Sequence, residues 1–234
     1  MHVPDGFIDA PVSAVAGVIA VSGVAVSLRG ARRELDDLTA PLAGLTAAFV
    51  FAAQMLNFPV AGGTSGHLLG GALAAILVGP FTGVLVVSVV LAVQALVFAD
   101  GGLTALGVNI TIMAIVTAAA GYGVFRLLVR VLPRSRPSVT AAAFVAALVS
   151  VPASALAFVA FYVVGGTTEV PLSTVLPAML GVHVLIGLGE ALITALTVSS
   201  VLAVRPDLVY GARGTAEPLE LVVNPARKPE EAAS

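Results

Sequence analysis

The densest set of metal-binding nitrogens in this 234-residue chain lies in its first seven residues, Met1-His2-Val3-Pro4-Asp5-Gly6-Phe7. A chain that begins Met-His offers the α-amine of Met1, the backbone amide of His2 and the His2 imidazole. Binding through all three closes two small chelate rings and sets the donors roughly in one plane. A fourth in-plane donor would complete a tetragonal nitrogen site, the geometry of Ni(II), Cu(II) and their neighbours. The remaining histidines are His67 and His183. His67 ends the Ala61-Gly62-Gly63-Thr64-Ser65-Gly66 run and precedes Leu68-Leu69-Gly70-Gly71. So much glycine suits a backbone that folds back into a helical bundle.

The elements that must position these residues are membrane helices. The chain is 59% hydrophobic and only 10% charged, with a mean hydropathy of +1.07. Soluble domains carry about 25% charged residues, so the composition predicts an integral membrane protein. There is no cysteine, which excludes thiolate metal clusters and cysteine nucleophiles. No basic patch interleaved with aromatics points to nucleic acid. Apolar runs near 10–28, 41–57, 81–98, 104–131, 139–164 and 176–203 are long enough to span, at about 20 residues per crossing. A seventh, 68–79, is shorter and stops at Gly79-Pro80. Read as one helix, 68–98 would be about 46 Å long, too long for a simple crossing, so Gly79-Pro80 predicts a tight turn between two helices.

The charges agree with seven crossings. All eleven Lys and Arg fall in three groups: Arg29, Arg32 and Arg33; Arg126, Arg130, Arg134 and Arg136; Arg205, Arg213, Arg227 and Lys228. Seven helices place all three groups on one side, which the positive-inside rule makes cytoplasmic. The expected fold is an all-α bundle of seven transmembrane helices, N-terminus outside and C-terminus cytoplasmic. It forms one membrane domain over 1–204, followed by a flexible cytoplasmic tail over 205–234. The N-terminus has no basic n-region ahead of its first apolar run, which reads as a retained helix and not as a cleaved signal. Small residues four apart, Ala43/Ala47, Ala48/Ala52 and Gly66/Gly70, suit close helix packing, in this bundle or against a partner.

Met1, His2 and His67 then share the outer side and could meet around one divalent cation. Asp5, Thr64, Ser65 and Asn109 are on that side and are candidates to orient His67. From reference values near 8 for an α-amine and 6.5 for histidine, binding is expected to weaken between about pH 8 and 5. The only carboxylate deep in a span is Glu190; His183, seven residues earlier, is about 10 Å away along the axis. The pair reads either as a polar clamp on neighbouring helices, the simpler reading, or as a proton or ion path. Gln54, Asn57, Gln94 and Asn109 fit the clamp reading.

Met1 to Phe7, Gly63-Thr64-Ser65-Gly66-His67-Leu68-Leu69-Gly70-Gly71, the Phe98-Ala99-Asp100-Gly101-Gly102 turn and Gly189-Glu190-Ala191-Leu192-Ile193-Thr194 occur in an order that resembles a known family. They resemble the cobalt/nickel substrate-capture components of energy-coupling-factor transporters, the CbiM/NikM family, from Met1 to about Val204. The resemblance implies a multi-pass component of a prokaryotic cell membrane that binds Co(II) or Ni(II) outside the cell. It implies Met1, His2 and His67 as the metal ligands, a transmembrane coupling subunit and cytosolic ATPase subunits as partners, and a docking face on Ala43–Ala53. A small accessory membrane subunit would be a separate chain or absent. The sequence has no Gly-x-x-x-x-Gly-Lys-Ser/Thr loop, so ATP hydrolysis by that route would belong to the partners. The alternative is a self-sufficient proton-coupled metal transporter built on Glu190 and His183. An intramembrane enzyme lacks support, since neither a His-Glu-x-x-His motif nor paired intramembrane carboxylates occur.

Overall fold

The computed structural model describes residues 1–37, 39–56, 58–59 and 65–213. Seven helices are present among them. They are α1 (Ala10–Ala31), α2 (Thr39–Gln54), α3 (Gly71–Val78) and α4 (Pro80–Val97), then α5 (Leu106–Val131), α6 (Arg136–Gly165) and α7 (Leu172–Val204). Two two-residue strands, Phe58–Pro59 and Ser65–Gly66, pair antiparallel before α3. Five of the helices are long and apolar enough to cross a bilayer: α1, α4, α5, α6 and α7. Their outward surfaces carry exposed Val18, Val21, Leu96, Val164, Leu185 and Leu196, an apolar cover that a soluble protein would not leave in water.

Local chemistry sets the helix boundaries. The Asp9 carboxylate accepts from Val12 N at 2.9 Å at the start of α1, and Ser135 accepts from Ser138 N before α6. Both satisfy amides that a first helical turn leaves unpaired. Asp36 and Thr39 cap α2 reciprocally: each backbone N–H donates to the other's side chain at 2.8 Å. The Gly79-Pro80 turn falls where the sequence predicts it. Gly79 takes φ 103°, and Pro80 opens α4, where a missing N–H costs nothing. Residues 110–116 of α5 are wound as a π-helix, which the apolar periodicity does not signal.

All eight residues of α3 are buried, so this short element lies wholly inside protein, where limited length is tolerated. At its far end the Glu34 carboxylate accepts from Phe81 N (3.2 Å), Thr82 N (2.7 Å) and the Thr82 hydroxyl (2.9 Å), tying the α1–α2 loop to the start of α4. The packed chain also runs past residue 204. Pro206, Val209, Gly211 and Ala212 are buried, in two 3-10 turns, Pro206–Leu208 and Tyr210–Ala212. The Arg213 guanidinium is 3.7 Å from the Asp36 carboxylate. The segment expected as a solvated tail is therefore folded as far as Arg213. Of the small-residue pairs, Ala43 and Ala47 turn towards the core, whereas Ala48 and Ala52 face outward.

One end of the bundle gathers residues 1–9, 98–105 and 166–170. Asp9 N donates to Gly165 O at 2.7 Å, Thr167 N to Phe7 O at 3.1 Å and Gly102 N to Val3 O at 2.9 Å. The opposite end holds the α1–α2 loop, the Gly79-Pro80 turn and the 3-10 turns.

Candidate metal centre

The N-terminal segment is packed into its end of the bundle. Met1, His2 and Val3 are buried, Met1 and Val3 completely. Asn109 on α5 holds Val3 on both sides: its Oδ1 accepts from Val3 N at 2.8 Å and its Nδ2 donates to Val3 O at 3.1 Å. The Asp5 carboxylate accepts from the amide (2.7 Å) and hydroxyl (2.6 Å) of Thr104, pinning the Pro4-Asp5-Gly6 turn to the 98–105 loop. The Phe7 ring packs against Phe158 and Tyr162, with centroids 5.9 and 5.7 Å away. These contacts fix where the chain's first two residues lie.

His2 meets His67 there, their rings stacked with centroids 4.4 Å apart and planes at 25°. Nε2 of His2 is 3.1 Å from Gln94 Oε1. An amide oxygen accepts only, so that nitrogen carries the proton and Nδ1 presents a lone pair. Nδ1 is also the nitrogen that closes a six-membered chelate ring with the His2 amide. It lies 3.2 Å from the Asp100 carboxylate yet makes no hydrogen bond. His67 is arranged in the complementary sense. Its Nδ1 donates to Leu68 O at 2.7 Å, which leaves the buried Nε2 with a lone pair and no hydrogen-bond partner.

Burial works against the charged forms of Met1 and His67. It drives the Met1 amine well below its ordinary value, against the pull of the nearby Asp100 carboxylate. Burial also drives His67 well below the usual histidine range, helped by the N-terminal charge, His2 and His183. Both shifts favour the neutral base, the form a metal requires.

The backbone beneath His67 is clamped from two helices. The Glu190 carboxylate on α7 accepts from Leu69 N (2.6 Å) and Gly70 N (3.0 Å). Gln54 on α2 donates to Leu69 O at 2.7 Å. Gly70 has φ 76°, and a Cβ there would press on Val50 at 2.8 Å, so glycine suits both the bend and the close approach. On the His2 side, Gly101 has φ 91°, and a Cβ would lie 3.1 Å from the His2 ring.

Of the residues expected from sequence, Met1, His2 and His67 come together. Asn109 and Asp5 hold the N-terminal segment and not His67, whose tautomer is set by Leu68 O. Thr64 and the Ser65 side chain lie outside the described residues. His183 and Glu190 hydrogen-bond to different partners, Met179 O and the 69–70 amides. Sequence reasoning missed the contacts of Gln94 and Asp100 with His2. The signals were a polar residue in the last turn of an apolar span and an acidic turn on the same side as the N-terminus. Among the described residues no three His, Cys, Asp or Glu side chains are grouped to hold a metal by themselves.

The profile of a family described as "Cobalt uptake substrate-specific transmembrane region" matches residues 2–208. The chain belongs to the CbiM family. A protein of Archaeoglobus fulgidus provisionally named a fused nickel transport protein is 43% identical over 211 residues, 89% of this chain and 68% of its own. The cobalt transport protein CbiM of Sorangium cellulosum is 35% identical over 216 residues, 89% of this chain and 94% of its own. A crystal structure of a truncated transition metal transporter superposes with a TM-score of 0.76 at 30% identity, covering 87% of this chain and 99% of that one. CbiM membership and the long apolar helices together identify a multi-pass membrane protein.

Proposed function

We propose that this chain is the capture component of an ATP-driven importer of the energy-coupling-factor type, taking Co(II) or Ni(II) from outside the cell. The observation that carries this reading is the juxtaposition of three features at one buried point. They are a buried Met1 amine whose neutral form burial favours, His2 with Nδ1 making no hydrogen bond, and His67 stacked on it with Nε2 open. The Met1 amine, the His2 amide, His2 Nδ1 and His67 Nε2 form the all-nitrogen set that suits these metals. The named transport metals of the relatives, nickel and cobalt, agree with it.

Arg29, Arg32 and Arg33, Arg134 and Arg136, and Arg205 and Arg213 flank the helix ends opposite this site, which makes that end cytoplasmic and the site outward-facing. In this reading all seven helices belong to the bundle. A coupling subunit docks on the outward small-residue face of α2, and cytosolic ATPases supply energy, with a small accessory membrane subunit as a further partner. Glu190, hydrogen-bonded to two backbone amides beneath His67, favours the clamp over a proton relay.

Titration calorimetry of the purified chain with its native Met1 amine should show one-to-one binding of Ni(II) or Co(II). His67→Ala should weaken it by roughly a hundredfold or more, about 3 kcal/mol or above. Failure of the native chain to bind either metal removes the reading. The same titration across pH tests the electrostatics. The His2 amide gives up its proton to the solvent on binding; at the Met1 amine and His67 protons compete with the metal only below each base's own pKa, which burial lowers for both. Proton competition at Met1 and His67 should therefore set in at lower pH than reference values imply. Proton uptake by the Met1 amine already near pH 8 in the metal-free chain would contradict the lowering by burial.

A further inference from the structure

Besides the histidine nitrogens and Gln94 Nε2, two buried side-chain atoms have no hydrogen-bond partner among the described residues: Gln54 Oε1 on α2 and Thr194 Oγ1 on α7. Both residues are 0% exposed. Both line one small cavity of about 10 Å³, together with Glu190, Leu68 and Gly70. A hydroxyl buried in a helix ordinarily donates to the carbonyl one turn earlier, as Thr46, Ser88, Thr111 and Thr117 do here at 2.6–2.8 Å. Thr194 does not, so its hydroxyl is left to the cavity. Gln54 is oriented from the other side: its Nε2 donates to Leu69 O at 2.7 Å, which leaves its oxygen as an acceptor. Each Glu190 oxygen accepts one backbone amide, from Leu69 or Gly70, and has capacity for a second donor. Leaving a buried donor and acceptor unpaired is unfavourable.

We propose that this cavity binds a single structural water, which donates to Gln54 Oε1 and to a Glu190 oxygen and accepts from the Thr194 hydroxyl. A buried water needs room of about 10–15 Å³ and two to four polar partners. The three partners here use both of its hydrogens and one lone pair. A monovalent cation fits less well, since it would supply the Thr194 hydrogen with no acceptor. The water joins α2 to α7 beneath the Leu68-Leu69-Gly70 bend, which makes Gln54 and Thr194 positioning residues for the loop that carries His67. The water itself is independent of the metal reading; the positioning role rests on the chelate proposed above.

The direct test is a high-resolution crystal structure of the full chain. It should show one density peak within about 2.5–3.0 Å of Gln54 Oε1, Thr194 Oγ1 and a Glu190 oxygen. No peak, or a direct Thr194–Gln54 hydrogen bond in its place, overturns the proposal. A second test is a double-mutant cycle of thermal unfolding in detergent, on the metal-free chain with Thr194→Val, Gln54→Leu and the pair. Thr194→Val keeps the side chain's shape and removes the donor. It should lower the unfolding temperature in the native background, and much less in Gln54→Leu, where the water has already lost a partner. Thr194→Ser, which keeps the hydroxyl, should stay close to native. Equal shifts in both backgrounds overturn the bridge, and a shift on replacing Na⁺ by choline overturns water in favour of a cation. Calorimetry with Ni(II) reads the positioning role: Thr194→Val should lose about tenfold in affinity, in the range for groups that orient a ligand, and Thr194→Ser should not. Unchanged affinity in a destabilised Thr194→Val chain overturns that role. If Thr194→Val fails to fold, the density and Thr194→Ser decide, native-like stability supporting the water and a collapse like that of Thr194→Val overturning it. A native chain that binds no Ni(II) overturns the chelate, and with it the positioning role, while the density and the unfolding cycle still decide the water.

Discussion

One glycine added ahead of Met1 should abolish the part of Ni(II) and Co(II) binding that depends on His67, and leave the bundle intact. The addition converts the Met1 nitrogen into an amide and moves the free amine one residue, about 3.8 Å, away. Met1 is fully buried and its neighbour Val3 is held by both polar atoms of Asn109, so the segment has no slack with which to restore the amine. Calorimetry of native and extended chains side by side, with thermal unfolding of each metal-free form, separates lost binding from lost folding. Tight binding by the extended chain that His67→Ala still abolishes would refute the chelate.

Glu190→Ala should show the second large effect, this time on stability and binding together. It strands the amides of Leu69 and Gly70 inside the bundle, at about 1–3 kcal/mol each, and frees the loop that aims His67. Thermal unfolding in detergent should move to lower temperature, and metal affinity should fall by roughly 10–100-fold, as for loss of a group that orients a ligand. Glu190→Gln keeps one acceptor oxygen and should fall between the native chain and Glu190→Ala in both measurements. A proton relay makes a different prediction: the isosteric amide would leave stability and binding alone and abolish proton-dependent uptake. Native stability in Glu190→Ala would discard the clamp.

Much of this arrangement is legible in the sequence because membrane helices obey coarse rules. Apolar runs set the spans, and Gly79-Pro80 marks a turn that separates α3 from α4. The Met-His start and His67 share one end because helix parity leaves them there. What parity cannot supply is side-chain partnership. That Gln94 reaches His2 and Glu190 reaches the 69–70 amides depends on how α4 and α7 rotate about their axes, which nearly uniform Val, Leu and Ala surfaces do not encode. The same uniformity hides the π-helical turn in α5. Nor do the residues just after 204 signal in sequence that they pack beneath α3, where a Cβ on Gly211 would meet Phe125 and Ile76 O.

The buried helix α3 has a consequence for how cargo leaves. Eight residues make a rod about 12 Å long, against about 30 Å of hydrocarbon, and it lies directly after His67 and the Leu68-Leu69-Gly70 bend. Its Leu73, Ile76, Leu77 and Val78 are packed tight, with Glu34 and the Tyr210–Ala212 turn closing off its lower end. The molecule is built as a stoppered cup, not as a duct. A cation held at the rim has solid aliphatic packing below it, so emptying the cup requires a helix to shift bodily. On the proposed function, holding and passing are thus separate acts, and a stopper of this kind would keep an idle capture component from becoming a leak.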